Sequence, residues 1–243
     1  MPQDILASLQ LTPADVPNLP AKARSALLTY LLRWEHFDAA RRCLHQLLVT
    51  HSHLVSVYDD LARAYLGLGQ PDRALEMMGR RHALRTSNSS RILQAEAHLA
   101  AGDLAAAQAI ARELTTGQPD MLSVWSLQAD LCLAAGDLDG AETALQQRET
   151  LRPEAAATAL GLARVWLARG NADKALLWAR TALARTERDE RAPALELLRL
   201  LERLYHATGQ TAQADATAAD LRQRQDQDLD NLRQHLGLTL PTA

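Results

Sequence analysis

Apolar and polar positions along the chain repeat one pattern. Two runs of apolar residues at helical spacing are broken by a short turn, and the same arrangement returns about 34 residues later. The clearest copy is residues 122–154, LSVWSLQADLCLAAGDLDGAETALQQRETLRPE, where Gly136-Asp137 separates two amphipathic runs and Pro153 closes the second. Two columns keep the register. Glycines stand at Gly69, Gly102, Gly136, Gly170 and Gly209, spaced 33, 34, 34 and 39 residues apart. Alanines stand at Ala40, Ala74, Ala107, Ala141, Ala175 and Ala214, spaced 34, 33, 34, 34 and 39. The longer last spacing occurs in both columns, so the two report one repeat.

Each column has a physical reason. A glycine takes the left-handed conformation without a Cβ clash and so ends a helix. Asp103, Asp137 and Asn171 follow it and can cap the next helix, while Pro71 suits a first turn. Small residues at Ala62, Ala95, Ala129 and Ala163 let paired helices approach, and larger neighbours fill the groove. The pattern predicts antiparallel helix pairs stacked in series, each shielded mainly by its neighbours.

Trp125, Gln128, Ala129, Cys132, Ala141, Leu145 and Pro153 fall at the offsets of the pattern W-x2-L-G-x2-Y…A-x3-F…P. The stretch therefore resembles a tetratricopeptide repeat, with Gln128, Ala129, Cys132 and Leu145 replacing Leu, Gly, Tyr and Phe. The resemblance implies an all-α fold, a right-handed solenoid of stacked antiparallel helix pairs. It also implies a non-catalytic protein–protein interaction scaffold whose first helices line a concave binding face. Six repeats are expected over 21–228, at about 21–54, 55–87, 88–121, 122–155, 156–189 and 195–228. Extra residues near Arg191 to Leu195 lengthen the loop before the sixth.

Residues 1–20 read either as a cap packed on the first pair or as a mobile segment able to lie in the chain's own groove. Thr12 starts a helix within them. At the other end, 211–236 reads as a long terminal helix, or as a helix and a separate cap, stopped by Gly237. Residues 229–243 form the extension and a frayed tail. One column departs from the family, which has a small residue seven positions after the second-helix alanine. Here that column reads Leu47, Arg81, Leu114, Arg148, Ala182 and Leu221, which predicts looser or differently angled packing between pairs.

Counted from the column of Tyr58 and Trp125, positions one, two, five and eight further on project away from their own pair. The expected partner-binding residues lie there: Leu66, Ile92, Leu93, Glu96, Leu99, Leu127, Asp130, Leu133, Leu160, Arg164, Leu167, Arg199 and Arg203. Exposed, they would form an apolar trough; buried, the leucines are core between pairs. Asp59, Asp60, Glu96 and Asp130 precede Arg164, Arg199 and Arg203, so the face is expected to be polarised, acidic first and basic after. Tetratricopeptide co-chaperones grip a C-terminal carboxylate with a Lys/Asn/Asn/Lys/Arg set. The matching positions here are Ser25, Thr29, Asp60, Ser89 and Leu93, and none fits.

Composition narrows the remaining classes. The chain is 47% hydrophobic but only 4% aromatic, which suits Ala- and Leu-rich helices. A net charge of −3 gives no field to draw nucleic acid. No apolar run approaches the roughly 18 residues of a membrane span. Cys43 and Cys132 lie in different repeats and read as free thiols, and the N-terminus lacks a signal-peptide pattern, so a cytoplasmic and bacterial protein is expected. His45, His51 and His53 lack the partners for a metal site, and His98 reads as a hydrogen-bonded core histidine. No phosphate-binding or nucleophile motif occurs, so neither cofactor nor catalysis is expected. The favoured function is an adaptor or assembly chaperone binding a peptide or helical segment of a protein partner. The alternatives are a structural subunit contacting partners by its convex face or by Leu229, Leu232 and Leu236, which also allow self-association, and a regulatory partner of a separate enzyme.

Overall fold

The computed structural model describes residues 4–186 and 194–238; of the loop insertion expected near Arg191 to Leu195, residues 191–193 lie outside them, as does the tail beyond 238, while Ala194 and Leu195 open a helix. Regular structure among the described residues is helical throughout. After α1 (Ile5–Ser8) and a 3-10 helix (Pro13–Asn18), helices follow in pairs. They are α2 (Ala21–Arg33) with α3 (Phe37–His51), α4 (Val55–Gly67) with α5 (Pro71–Leu84), and α6 (Asn88–Ala100) with α7 (Leu104–Gly117). Next come α8 (Leu122–Ala134) with α9 (Leu138–Leu151), α10 (Ala156–Ala168) with α11 (Ala172–Thr186), and α12 (Ala194–Ala207) with α13 (Thr211–His235). Two compact units are present: residues 1–103 with 225–243, and residues 104–224.

Within the first unit α2 packs on α3, α3 on α4, α4 on α5 and α5 on α6. Within the second, α7 packs on α8, and the series continues helix by helix to α12. First helices also touch across successive pairs: α2 with α4, α4 with α6, and α8 with α10. These contacts are the stacking of a solenoid fold, in which one pair covers the next.

The turn column works as the sequence predicts. Gly69, Gly102, Gly136, Gly170 and Gly209 all have φ between 68° and 81°. The N–H after each returns to a carbonyl five residues back, as in Asp137 to Cys132 at 2.9 Å. Glu35 holds the same place in the first pair at φ 61°, and His36 makes the matching bond to Leu31 at 2.8 Å. Asp137 and Asn171 cap the following helices through Gly140 N–H and Lys174 N–H, each at 2.9 Å. All six column alanines are fully buried.

In the departing column Leu47, Arg81, Leu114, Arg148 and Ala182 are buried and Leu221 is half-buried. The two arginines fit because a guanidinium can reach past its own helix while its stem stays covered. Arg81 donates to Asp59 Oδ1 at 3.0 Å, to Ser87 Oγ at 3.1 Å and to the Arg85 carbonyl. Arg148 Nη1 donates to Thr158 Oγ1 at 2.6 Å. Ser87 caps α6 and Thr158 lies in the first turn of α10, so each arginine ties a second helix to the start of the next pair.

Residues 4–18 lie mainly on α3, with Leu6, Leu9 and Val16 buried. Asp4 pairs with Arg42 at 2.9 Å, and Asp15 accepts from the Thr12 N–H and hydroxyl at 2.7 Å. The segment thus contacts the second helix of the first pair. At the other end α13 is one helix of 25 residues, closed by Gly237 at φ 70°. Its residues from 225 onward belong to the first unit.

Candidate protein-binding faces

On each first helix, the open positions are the fifth and eighth from the aromatic column. Glu96 and Arg164 are exposed, and Asp130 is half-buried. Leu66, Leu99 and Leu133 are half-buried, and Leu167 is 37% exposed. Ile92, Leu93, Leu127 and Leu160, counted above as partner-binding, are buried at 9%, 4%, 2% and 4%. These four sit at the first and second positions, which turn toward neighbouring helices, so they floor the face rather than line it. Arg199 is half-buried and Arg203 exposed on α12.

In the second unit these positions converge on a cleft of about 290 Å³ over α8 and α10. Gly161 forms part of its wall; a Cβ there would come within 2.5 Å of Leu145. Asp130, Arg164 and Glu196 cross it in a row. Arg164 Nη1 stands 2.7 Å from Asp130 Oδ1 and 3.9 Å from Glu196 Oε1. Burial pushes the Asp130 carboxyl above its ordinary range, and Arg164 only partly offsets this.

Charges expected to be offered to a partner are largely matched inside the fold. Asp59 is engaged by Arg81, Asp60 by Arg63 at 2.9 Å, and Asp130 by Arg164. Asp59 and Arg81 lie within one repeat, Asp60 and Arg63 on one helix, and Asp130 and Arg164 on neighbouring repeats. Burial also raises the Asp60 carboxyl, and Arg63 lowers it in part.

In the first unit the end of α13 lies against the C-terminal end of α2. Trp34 Nε1 donates to Asp228 Oδ2 at 3.0 Å, and Arg33 Nη1 lies 3.3 Å from the same oxygen. Tyr30 is buried and in hydrogen-bond contact with Gln225; its phenol is pushed up, chiefly by burial. Leu232 is 2% exposed. The leucine stripe of α13 was legible in the sequence, but its partner, some 194 residues away, was not.

Two histidines approach partners inside the fold. His45 Nε2 meets the Tyr65 hydroxyl at 2.7 Å, and His98 Nδ1 lies 3.5 Å from Asp103. Among the described residues no group of His, Cys, Asp and Glu could hold a metal ion. No described helix is long and apolar enough to cross a membrane.

Comparison with known proteins agrees with this architecture. Tetratricopeptide repeat profiles match residues 92–152, 56–80 and 156–181. No curated protein matches the chain. A thermophilic tetratricopeptide repeat protein of Thermus thermophilus is 22% identical, with a TM-score of 0.58 over 76% of this chain and 100% of that one. A tetratricopeptide repeat protein of Parabacteroides merdae reaches 0.62 at 14% identity, over 88% of this chain and 85% of that one. A chain of the Cut9–Hcn1 hetero-tetramer of APC/C gives 0.57 at 12% identity, covering 86% of this chain and 42% of that one. Recurring columns, stacked pairs and matched stretches together make this chain a tetratricopeptide repeat protein.

Proposed function

We propose that the chain is a protein-interaction scaffold that binds an extended or helical segment of a partner protein on its first helices, as an adaptor or assembly chaperone. The cleft over α8 and α10 carries this reading. Its buried leucine floor suits an apolar anchor, with half-buried Leu133 in its lining and exposed Leu167 one turn beyond Arg164 on α10. Two carboxylates flank its one arginine, so a partner with a cationic residue beside its apolar anchor is favoured. Contact through the leucine stripe of α13 is less favoured, because Leu232 is already buried within the chain.

The test is selection of peptides from a displayed random library against wild type and Leu133→Glu/Leu167→Glu. Peptides with an apolar anchor next to Lys or Arg are expected on wild type, with at least about tenfold weaker binding to the double variant, equivalent to about 1.4 kcal/mol. Equal binding by a folded double variant would exclude the cleft.

A further inference from the structure

The end of α13 is attached to α2 by few contacts. Asp228 fits between donors of two consecutive residues, Arg33 and Trp34. Leu232, one turn further on, is the deeply buried apolar side chain of this stretch, while Leu229 and Leu236 are half-buried. Beside them a cleft of about 440 Å³ stays open, lined by Ser25, Ala26, Thr29 and Asn231. Ser25, Ala26 and Thr29 are the first, second and fifth positions of α2, the counterparts of Ser126, Leu127 and Asp130 on α8. A helix of the chain itself is thus seated along the edge of that face, on Tyr30, Arg33 and Trp34, the counterparts of Leu131, Ala134 and Ala135.

We propose that the α2 face is a helix-docking site held in cis by residues 225–235. Its ligand in trans is an amphipathic helix with a carboxylate four residues ahead of a leucine, as Asp228 and Leu232 present them. The carboxylate takes the indole N–H and the guanidinium together, and the leucine supplies the apolar anchor. A tethered helix competes at high effective concentration, so an outside helix binds only when it displaces the resident one. This site is separate from the cleft over α8 and α10 and stands without it.

The probe is a fluorescent synthetic peptide of residues 222–238, titrated by anisotropy into full-length protein. Weak binding to wild type is expected, with binding at least about tenfold tighter to Asp228→Ala/Leu232→Ala, whose resident helix is loosened. Adding Arg33→Glu should abolish that gain, and Leu133→Glu/Leu167→Glu should leave it intact. Equal affinity for wild type and the loosened variant, or a gain that survives Arg33→Glu, would overturn the proposal. Should the double substitution prevent folding, hydrogen exchange on wild type decides: amides of 228–235 must exchange well before those of 211–221. Equal protection would overturn it.

Discussion

At the scale of single residues, the six turns differ in how easily their conformation is reached. Gly136 sits at φ 75° with open space around its Cα. Gly136→Ala therefore costs backbone strain alone, about 1–2 kcal/mol. Glu35 already occupies that region at φ 61°, so Glu35→Gly is expected to stabilise by up to about 1 kcal/mol. Urea titration of the two variants should shift the midpoint in opposite directions. Asp60 shows a different kind of tension. Its carboxyl titrates above the ordinary 3.8, so between 3.8 and its raised value the folded state holds more protons than the unfolded one. Stability then falls as pH rises through that window, and the ionised form opposes folding above it. Asp60→Asn should raise the melting temperature at pH 7 by about 1–2 °C and lose this advantage near pH 4. Cys43 shows burial acting on a thiol, which is pushed up to about 12 although Arg42 pulls the other way.

At the scale of elements, the link between a second helix and the next pair depends on Arg148 and Thr158. Both are buried, and the bond between them is 2.6 Å. Thr158→Val keeps the shape but removes the acceptor from a buried cation, which should cost about 1–3 kcal/mol in chemical denaturation. Arg148→Met should cost less, because it removes the charge along with its need for a partner. The helices and turns here were legible in the sequence because their signals are local: glycine at positive φ, alanine under a crossing helix, Asp137 at a cap. The role of Arg148 was not, since periodicity assigns a residue to a face but does not name what lies opposite. The same limit explains Ile92, Leu93, Leu127 and Leu160. Periodicity placed them on the outward side of their own pair, and it does not register the cover that leaves them buried.

At the scale of the whole chain, the two compact units do not follow sequence order. Residues 225–235 of α13 belong with residues 4–103, although the helix begins in the other unit. Removing everything after Arg224 should therefore be felt at α2 before α8 or α10. Loss of Leu232 and of the Asp228 acceptor uncovers Tyr30 and Trp34, which are buried in the intact chain. Hydrogen exchange should show faster exchange across residues 27–34 of the truncated protein, with residues 124–165 unchanged; uniform loosening of both would argue that the units unfold as one.

The bond from Trp34 to Asp228 also has a consequence in time. During synthesis the indole is made some 194 residues before its acceptor, and at about 5–20 residues per second the wait is roughly 10–40 seconds. Throughout that interval Tyr30 and Trp34, buried in the finished fold, lack the cover that α13 gives them. Any helper that shelters them at the ribosome must leave before that helix can arrive.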